Sequence, residues 1–350
     1  MDPCEWPPAP LGCTPLSLLV ANQVVCINPF ATMGSNEPPR DYWIHQWKYT
    51  PTVHRDVYPA IDPKSPALSQ KGKIVVISGA SSGIGAEGLA PAFAHAGAEA
   101  IVIAARRLEN LRKVEANIAA INPAVKTLSV ATDVTDAASV ANLFQTVSST
   151  FGRPADVLVS NAAALQGLAT ITASDPDVWR REVDINLNGP YLLVREFLLA
   201  LPAEENESHH KPTFIAISSS ASVEIIPGLG NYCISKGALN RLVEFVAAEN
   251  PRVAAVAMHP GIIRTAMSID EFAPFEGDTM ELVGGMTVWL ATDAARWLSG
   301  RYVGVNWDVE ELVASKQKVL ERDELKVALK GSFGESVGQV DAKAYKVNPF

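Results

Sequence analysis

Disulfide-forming cysteines are scarce in this sequence. Only 4 of its 350 residues are Cys. Three of them, Cys4, Cys13 and Cys26, lie in the amino-terminal region, whereas Cys233 lies far away in the chain. This pattern offers no disulfide framework and argues against a small secreted domain. A reducing, cytoplasmic location fits it best.

Metal-ligand motifs, excess positive charge and long apolar runs are also lacking. None of the 6 His has metal-ligand spacing, including the pair His209-His210, so we expect no metal site. The net charge of −9 argues against nucleic acid and anionic membranes as partners. The apolar stretch 16–27 is too short to span a bilayer, and no Lys or Arg precedes it. We therefore expect neither a membrane segment nor a secretory signal.

The chain does have enough apolar residues to bury a full core, since 48% of it is hydrophobic. Strand and helix patterns alternate from Ile74 to Trp307, and no internal repeat is found. This alternation predicts one α/β domain rather than two.

A glycine-rich turn follows the first of these strand patterns. Residues 73–78 are mostly apolar and β-branched, and a helical pattern covers 86–96. The turn between them reads Gly79-Ala80-Ser81-Ser82-Gly83-Ile84-Gly85. Such a turn lets the backbone approach a pyrophosphate closely, and the N-terminus of the following helix holds the anion. The order of strand, turn and helix therefore predicts dinucleotide binding.

The end of the second strand, predicted over 99–105, indicates which dinucleotide is bound. Where an NAD site would place an acidic side chain for the ribose 2′-hydroxyl, this chain has Arg106 and Arg107. Arginine suits a 2′-phosphate, so NADP(H) is favoured. Arg107 fits equally well as a solvated residue that opens the helix predicted over 108–121.

Two later strands also end in residues suited to a nucleotide. After the third, predicted over 126–131, Asp133 and Val134 stand where adenine would be met. Asp133 would serve nearly as well as a cap for the helix beginning near Asp136. After the fourth, predicted over 155–159, Asn161 and Ala162 belong to a run of small residues over which a nucleotide can lie.

A tyrosine and a lysine four residues apart, Tyr232 and Lys236, suggest proton transfer. On a helix this spacing puts both side chains on one face, where the lysine charge would favour the phenolate and lower the tyrosine pKa. The pair alone is weak evidence, because such pairs occur by chance.

These motifs together resemble the short-chain dehydrogenase/reductase family over roughly residues 70–310. The family's cofactor turn matches residues 78–85, and its Asn-Asn-Ala-Gly motif appears with Ser160 and Ala163 in place of the first Asn and the last Gly. The loop that embraces the nicotinamide carboxamide matches Pro260-Gly261-Ile262-Ile263-Arg264-Thr265.

The resemblance also implies a catalytic set. The family's serine matches Ser219, thirteen residues before Tyr232, with Ser218 and Ser220 as the alternative assignments, and its asparagine matches Asn186. Reducing a ketone needs a hydrogen-bond donor at the carbonyl oxygen and a proton to deliver. By resemblance, Ser219 is the donor and Tyr232 the acid. Lys236 would bind the nicotinamide ribose, and Asn186 would hold a water that connects the lysine to solvent.

The family resemblance implies a Rossmann-type, doubly wound parallel sheet of about seven strands with helices on both faces, and NADP(H) as the cofactor. We expect an NADPH-dependent carbonyl reductase or alcohol dehydrogenase acting on a small, hydrophobic ketone or secondary alcohol. The alternatives are a non-redox isomerase or cyclase on the same fold, and an NADP(H)-binding sensor without chemistry. Residues 266–279, with Phe272 and Phe275, are either a mobile substrate lid or an ordinary surface loop.

The two ends of the chain are less regular. Residues 1–69 show little helical or strand period, and we expect the aromatic side chains of 41–59 to pack on the core. We assign 1–69 to an amino-terminal arm, 70–310 to the catalytic domain, and 311–350 to a carboxy-terminal helix and tail, with the helix over 310–329. Met33 is a second possible start. The arm and the run 305–312 resemble reductases of filamentous fungi, some of which act in secondary metabolism.

Two helices, predicted over 177–200 and 231–249, carry apolar faces wider than one sheet covers. The residues of these faces are Leu192, Leu193, Phe197, Leu198, Leu239, Leu242, Val243, Val246 and Ala247. A leftover apolar face usually marks a partner. Because the corresponding helices pair across a twofold axis in the resembling family, we expect a homodimer or homotetramer. The alternative is that the faces are buried within one subunit.

Overall fold

The structure is a computed structural model that describes residues 16–20, 23–27, 39–202 and 211–329. Its first element is an antiparallel hairpin of β1 (Leu16–Val20) and β2 (Gln23–Ile27). The expectation that this region lacks strand structure is therefore wrong. Valine and isoleucine favour strands, and a two-residue connection is a common hairpin length. Met33, the pair at 209–210 and the tail beyond 329 lie outside the described residues.

Seven parallel strands form the central sheet. They are β3 (Ile74–Ser78), β4 (Ala100–Ala105), β5 (Lys126–Ala131), β6 (Val157–Ser160), β7 (Thr213–Ile217), β8 (Ala254–His259) and β9 (Arg301–Gly304). Their order in the sheet is β5-β4-β3-β6-β7-β8-β9. The chain order reverses between β3 and β6, and such a switch point is where α/β sheets bind nucleotides. The predicted Rossmann-type sheet of about seven strands is confirmed.

Helices cover both faces of this sheet. They are α1 (Tyr42–Gln46), α2 (Ala90–His95), α3 (Leu108–Ile121), α4 (Ala137–Phe151), α5 (Pro176–Val183), α6 (Gly189–Ala200), α7 (Gly230–Glu249), α8 (Met280–Leu290), α9 (Val309–Ala314) and α10 (Lys316–Glu321). Alternate residues of β3 point to opposite faces: Val75 and Ile77 pack with α2, α3 and α8, whereas Ile74 and Val76 pack with α4, α6 and α7. The inner strands β3, β4, β6 and β7 are buried along their whole length because both faces of the sheet are covered there, whereas the edge strand β5 buries only Val130.

Two helices differ from the predictions. The helix expected over 177–200 is interrupted by a π-helical segment, Asp184–Asn188, which separates α5 from α6. The helix expected over 310–329 breaks at Ser315 and ends at Glu321. Beyond it Asp323 and Leu325 have φ of +48° and +67°, and the Leu325 carbonyl accepts from Tyr302 N at 2.9 Å. The helix ends because the chain turns back to bond the edge strand β9.

Residues 39–69 lie against the core near β9. Val53 forms an antiparallel bridge with Trp307, and the Trp307 Nε1 donates to the Trp47 carbonyl at 2.9 Å. The Tyr58 hydroxyl accepts from Val309 N at 2.8 Å. The aromatic side chains of 41–59 thus pack on the core, as the sequence predicts.

The apolar residues named for subunit association divide into buried and half-buried ones. Leu239 and Val243 on α7, and Leu193 and Phe197 on α6, are at most 1% exposed, and these were the wrong choice because they face their own sheet. The half-buried ones are Leu192, Leu198, Leu242 and Ala247. Other apolar side chains of the same helices are exposed: Tyr191, Leu199, Ile234 and Phe245.

No helix within the described part of the chain is long and apolar enough to cross a membrane.

Candidate active site

A cleft of about 1020 Å³ lies at the carboxyl ends of the strands, beside the switch point between β3 and β6. The predicted cofactor residues that line it are Gly79, Ser81, Ser82, Gly83, Ile84, Arg106, Arg107, Asp133, Val134, Asn161, Ala162 and Thr265. Gly85 lies behind the turn, and residues 260–263 follow β8 outside this wall. One cleft therefore brings together residues that follow five strands, β3, β4, β5, β6 and β8.

The glycine turn follows β3 and opens a π-helical segment, Ile84–Leu89, that continues into α2. Gly79 and Gly83 have φ of +65° and +55°, a region that L side chains rarely adopt. A Cβ on Gly79 would lie only 2.7 Å from the Ala162 Cα. The turn is thus built from glycine both for its backbone angle and for its contact with the neighbouring strand end.

Asn161 fastens the turn to that strand end. Its Nδ2 donates to the carbonyls of Ser78 and Gly79, each at 3.1 Å. The Ser78 hydroxyl in turn accepts from Asn161 N at 3.0 Å and from Ala162 N at 3.2 Å. The replaced residues of this motif, Ser160 and Ala163, take no part in these bonds.

The two arginines at the end of β4 differ in their surroundings. Arg107 donates twice to the amide oxygen of Asn110, at 3.0 and 3.2 Å, when that amide is turned to face it. Arg106 makes no hydrogen bond or ion pair with the described residues, and it lies near enough to Asp133 to lower the pKa of that carboxyl. Arg106 is the one whose guanidinium is available to a ligand.

Asp133 is held by its own loop. Its carboxylate accepts from Thr135 N at 3.0 Å and from the Thr135 hydroxyl at 2.7 Å, and these bonds lower its pKa. The cap of α4 is Asp136, which accepts from Ala138 N at 3.0 Å. Of the two roles considered for Asp133, helix cap and adenine contact, the structure excludes the helix cap.

The four catalytic candidates meet at the ends of β7 and α7. Ser219 follows β7, and its side chain lies close enough to the Tyr232 hydroxyl to lower the pKa of that tyrosine. Lys236, one turn after Tyr232 on α7, is 1% exposed and donates from Nζ to the Ile217 carbonyl at 2.8 Å. Asn186 lies in the π-helical segment and reaches α7, where its Nδ2 donates to the Ser235 hydroxyl at 3.2 Å.

The neighbouring serines have other partners. The Ser218 hydroxyl donates to Asn240 Oδ1 at 2.7 Å, and Ser220 N donates to His259 Nδ1 at 3.1 Å. Of the three consecutive serines, Ser219 is the one whose side chain lowers the pKa of Tyr232.

The acidity of Tyr232 is set differently from the sequence expectation. Burial raises the pKa of Tyr232 to about 12, and the hydrogen bond with Ser219 partly opposes this. Lys236 is not among the groups that lower it, since its Nζ is bonded to Ile217 and lies 5.8 Å from the centre of the tyrosine ring. Burial also lowers the pKa of Lys236 to about 8. In this arrangement the lysine does not lower the tyrosine pKa.

The loop after β8 is held by an aspartate that sequence reasoning missed. The buried Asp278 accepts from Ile262 N at 2.6 Å, and a Cβ on Gly261 would lie 2.6 Å from its Oδ2. Arg55 donates from Nε to Asp278 at 3.0 Å, and Asn306 Nδ2 donates to it at the same distance. No local pattern marks this cluster, because its members are widely separated in the chain.

Part of the predicted lid is core. Phe275, within the 3₁₀ helix Asp270–Phe275, is 3% exposed, and the Trp43 ring lies 6.2 Å from it. Phe272 lies 6.3 Å from Trp43 and also packs on an apolar cluster at Tyr232. Phe275 is therefore not a substrate-facing residue, whereas Phe272 lies between the amino-terminal segment and the catalytic tyrosine.

A comparison with known families decides what this arrangement is. The model of the short chain dehydrogenase family matches residues 73–274, which include the glycine turn and all four catalytic candidates. The chain belongs to the short-chain dehydrogenase family. As a short-chain dehydrogenase it is an oxidoreductase that uses a nicotinamide cofactor, NAD or NADP. The glycine turn fits such a cofactor, because the turn has no side chains where a pyrophosphate would lie.

Relatives of this short-chain dehydrogenase occur in filamentous fungi, as the resemblance predicted. Short chain dehydrogenase pigC of Monascus ruber is 36% identical over 313 residues, which are 85% of this chain and 98% of the relative. Short chain dehydrogenase mpl6 of Monascus purpureus is 34% identical over 286 residues, 79% of this chain and 94% of the relative.

Solved structures share the fold. A short-chain type dehydrogenase/reductase from Mycobacterium marinum is 26% identical, with a TM-score of 0.62, and covers 69% of this chain and 96% of its own. The KRED1-Pglu enzyme is 29% identical, with a TM-score of 0.56, and covers 66% of this chain and all of its own length. The similarity thus covers about two thirds of the chain.

Proposed function

We propose that this short-chain dehydrogenase is an NADPH-dependent carbonyl reductase that acts on a hydrophobic ketone, or on the corresponding secondary alcohol in reverse. The observation that carries the proposal is that Ser219, Tyr232 and Lys236 lie together, after the end of β7 and on α7, at the same edge of the sheet as the cleft with its glycine turn. A phenol in this position is a proton donor next to a second hydroxyl donor, which is what a developing alkoxide needs.

Each side chain then has a distinct task. The cofactor supplies the hydride when bound. The Ser219 hydroxyl donates a hydrogen bond to the carbonyl oxygen, and the Tyr232 hydroxyl gives its proton to that oxygen, so the product is an alcohol and the tyrosine is left as a phenolate. Because the pKa of Tyr232 is raised, the phenol is fully protonated at neutral pH and ready to donate. Lys236 uses one of its three N–H groups on Ile217, which leaves two for a ribose hydroxyl or the phenolate.

The residues at the end of β4 support NADPH over NADH as the cofactor. Arg106 lines the cleft without a hydrogen-bonding partner of its own among the described residues, whereas Arg107 is bonded to Asn110. A guanidinium in this position matches the charge and geometry of a 2′-phosphate. No acidic side chain stands at the end of β4 to accept a bond from a free 2′-hydroxyl.

A hydrophobic substrate is supported by the surroundings of Tyr232. This ring packs with an apolar cluster whose other members are Leu165, Leu168, Ala221, Ile226, Leu229, Cys233, Ile269 and Phe272. Val223 and Ile225, on the loop between Ser219 and α7, are 41% and 96% exposed. Exposed apolar side chains beside a polar catalytic pair suit a ligand with a carbonyl group in an apolar frame. With its fungal relatives, this supports a role in secondary metabolism.

A ketone panel tests the proposal. Purified protein is incubated with NADPH and apolar ketones of increasing size, and then with NADP⁺ and the matching alcohols. We expect NADPH loss equal to alcohol formed, with larger kcat/KM for the more apolar ketones. Substrate conversion without net NADPH loss would instead show a non-redox isomerase or cyclase. Tight NADPH binding without conversion of any compound would show a sensor.

A further inference from the structure

Glu182, on α5, is a buried carboxylate that joins three elements around Tyr232. It is 3% exposed. One carboxylate oxygen accepts from Gln166 N, on the cleft wall, and the other accepts from Asn231 Nδ2 at 2.6 Å. Asn231 directly precedes Tyr232 on α7. A single side chain therefore connects α5, the cleft wall and the first turn of the helix that carries the proposed acid.

Asn186 makes the same kind of connection one helical turn later. Its Oδ1 accepts from Ala164 N and its Nδ2 donates to the Ala164 carbonyl, each at 2.8 Å. Its Nδ2 also donates to the Ser235 hydroxyl on α7. Glu182 and Asn186 are four positions apart, and so are their partners on α7, residues 231 and 235. Glu182 and Asn186 thus form two successive cross-links between the same three elements, and Tyr232 lies between their ends on α7.

Burying the Glu182 carboxylate at the first cross-link costs free energy. No Lys, Arg or His within the described ranges forms an ion pair with Glu182, and burial raises its pKa. A buried ionised group without a cation is costly. A glutamine would accept only one of these two N–H bonds unless Asn231 turned its amide over, so a carboxylate is the side chain that accepts both. The carboxylate also places a negative charge beside the first turn of α7.

We propose that Glu182 is a positioning residue for proton transfer by Tyr232: it fixes the cleft wall against the start of α7, and its negative charge disfavours the phenolate. The inference rests on the proposed function of Tyr232 as the acid. Glu182 acts through Asn231 and the cleft wall, without touching substrate.

The electrostatic half of the proposal agrees with the groups around the phenol. Burial is the main cause of the raised pKa of Tyr232, and the charges of Cys233 and Glu182 raise it further. Ser219 acts in the opposite sense through its hydrogen bond, and Lys236, on the same helix, lies 5.8 Å from the ring centre. Removing the Glu182 charge should lower the pKa of Tyr232, because an anion near a phenol disfavours the phenolate.

The test compares Glu182→Gln, which removes the charge and replaces one acceptor oxygen by an NH2 group, with Asn231→Leu, which keeps the charge and removes the hydrogen bonds of Asn231 to Glu182 and to the Trp179 carbonyl. In ketone reduction we expect Glu182→Gln to lower kcat about 10-fold, with KM for NADPH within about two-fold of the parent. The activity of Glu182→Gln should begin to fall at a lower alkaline pH than the activity of the parent. Asn231→Leu should lower kcat without shifting this alkaline fall in activity to lower pH. Glu196→Gln on α6, away from the cleft, serves as the matched control and should change neither.

A second readout does not depend on turnover. The phenolate absorbance of the NADP⁺ complex is titrated, and the Tyr232→Phe variant identifies the contribution of Tyr232. We expect phenolate to form at lower pH in Glu182→Gln than in the parent. A titration and a pH profile that coincide with those of the parent would overturn the proposal, even if kcat falls. If no ketone is reduced but the titration shifts, the proposed reaction fails while the coupling between Glu182 and Tyr232 stands.

Discussion

The two ends of the site are built in different ways. The adenosine end, at the carboxyl ends of β3, β4 and β5, is an open cleft whose walls are turns, small residues and an available arginine. The end that would hold the nicotinamide, after β8, is supported by residues 39–58. Arg55 donates to Asp278, and Trp43 packs against Phe272 and Phe275. One end relies on backbone shape, and the other on side chains brought from the far end of the chain.

The family match separates the same two ends. Residues 73–274 include the glycine turn, Arg106 and the catalytic candidates, whereas Arg55, Asp278 and Asn306 all lie outside it. The chemistry is therefore placed by the part of the chain that the family shares. The support for the loop that would face the nicotinamide comes from segments outside this match.

The largest effect should come from the shared part. Replacing Tyr232 with Phe removes the proton donor and leaves the ring in its apolar cluster. We expect kcat to fall by about 10³-fold or more, roughly 4 kcal/mol in activation free energy, with the Kd for NADPH within a few-fold of the parent. Steady-state rates and fluorescence titration measure the two. Retention of more than about a tenth of the activity would refute the assignment.

Truncation tests the chain-specific part. Removing residues 1–69 takes away Arg55 and the aromatic side chains that cover β9, so we expect strong destabilisation or failure to fold, on the order of 3–5 kcal/mol or more. Removing residues 1–32 should leave an active protein. Thermal unfolding of both is compared with that of the full chain. Free proteolytic cleavage between Trp43 and Tyr58 in the native protein would contradict the expectation.

Cofactor preference tests the open end. We expect the parent to bind NADPH more tightly than NADH, and Arg106→Ala to weaken NADPH binding by about 10–100-fold while sparing NADH, because a charged bidentate contact is lost. Arg107→Ala should have the smaller effect, since Arg107 is bonded to Asn110. Equal Kd values for the two cofactors in the parent would show that the end of β4 does not select NADPH.

Arg55→Ala should show whether the Arg55–Asp278 ion pair stabilises the fold and the loop after β8 without acting in the chemical step. It leaves the buried Asp278 with the Ile262 and Asn306 bonds but without a cation. We expect a loss of about 1–3 kcal/mol in the free energy of unfolding and a several-fold higher KM for NADPH, with kcat changed less than in Tyr232→Phe. Lys126→Ala, which breaks an exposed ion pair with Glu99, is the control and should change little. An unchanged KM would mean that the Arg55–Asp278 ion pair does not govern the nicotinamide loop.

Subunit association should have the smallest effect on the site itself. Tyr191, Leu199, Ile234 and Phe245 expose apolar surface on α6 and α7, and we propose that a second copy covers it in a homodimer or homotetramer. Light scattering should then give a multiple of 37.4 kDa, the mass of one chain, and Phe245→Glu should reduce it. A mass of one chain for the parent at micromolar concentration would refute association.

Sequence reasoning succeeded where the signal is local. The run of β-branched residues before Gly79, the helix over 108–121 and the spacing of Ser219, Tyr232 and Lys236 each depend on neighbours within about one element. It failed where distant segments decide the structure. The turn after Glu321 forms because Tyr302 N, on β9, donates to the Leu325 carbonyl. The π-helical interruption at Asp184–Asn188 was missed for another reason: the helix-breaking pair Gly189-Pro190 directly after it was passed over.

Buried charge is the other limit of sequence reasoning. Glu182 stands between Arg181 and Val183 in a short amphipathic helix, where a glutamate usually belongs to a solvated face. Arg55 and Asp278 are 223 positions apart and share no periodic pattern. Such groups become visible only when their partners in space are known, because a single chain carries no record of which charges are removed from water.

The link between Arg55 and Asp278 also has a consequence during synthesis. At roughly 5–20 residues per second, the ribosome adds the 223 residues between these partners in about 10–45 s. By the end of that time Trp43, Trp47 and Tyr58 have left the ribosome, while β9 and the segment that follows it do not yet exist. These aromatic residues are made early and covered late, so the nascent chain exposes an apolar aromatic segment until its final strand is complete. We expect this chain to depend on chaperones for its yield more than relatives that begin at the first strand of the sheet.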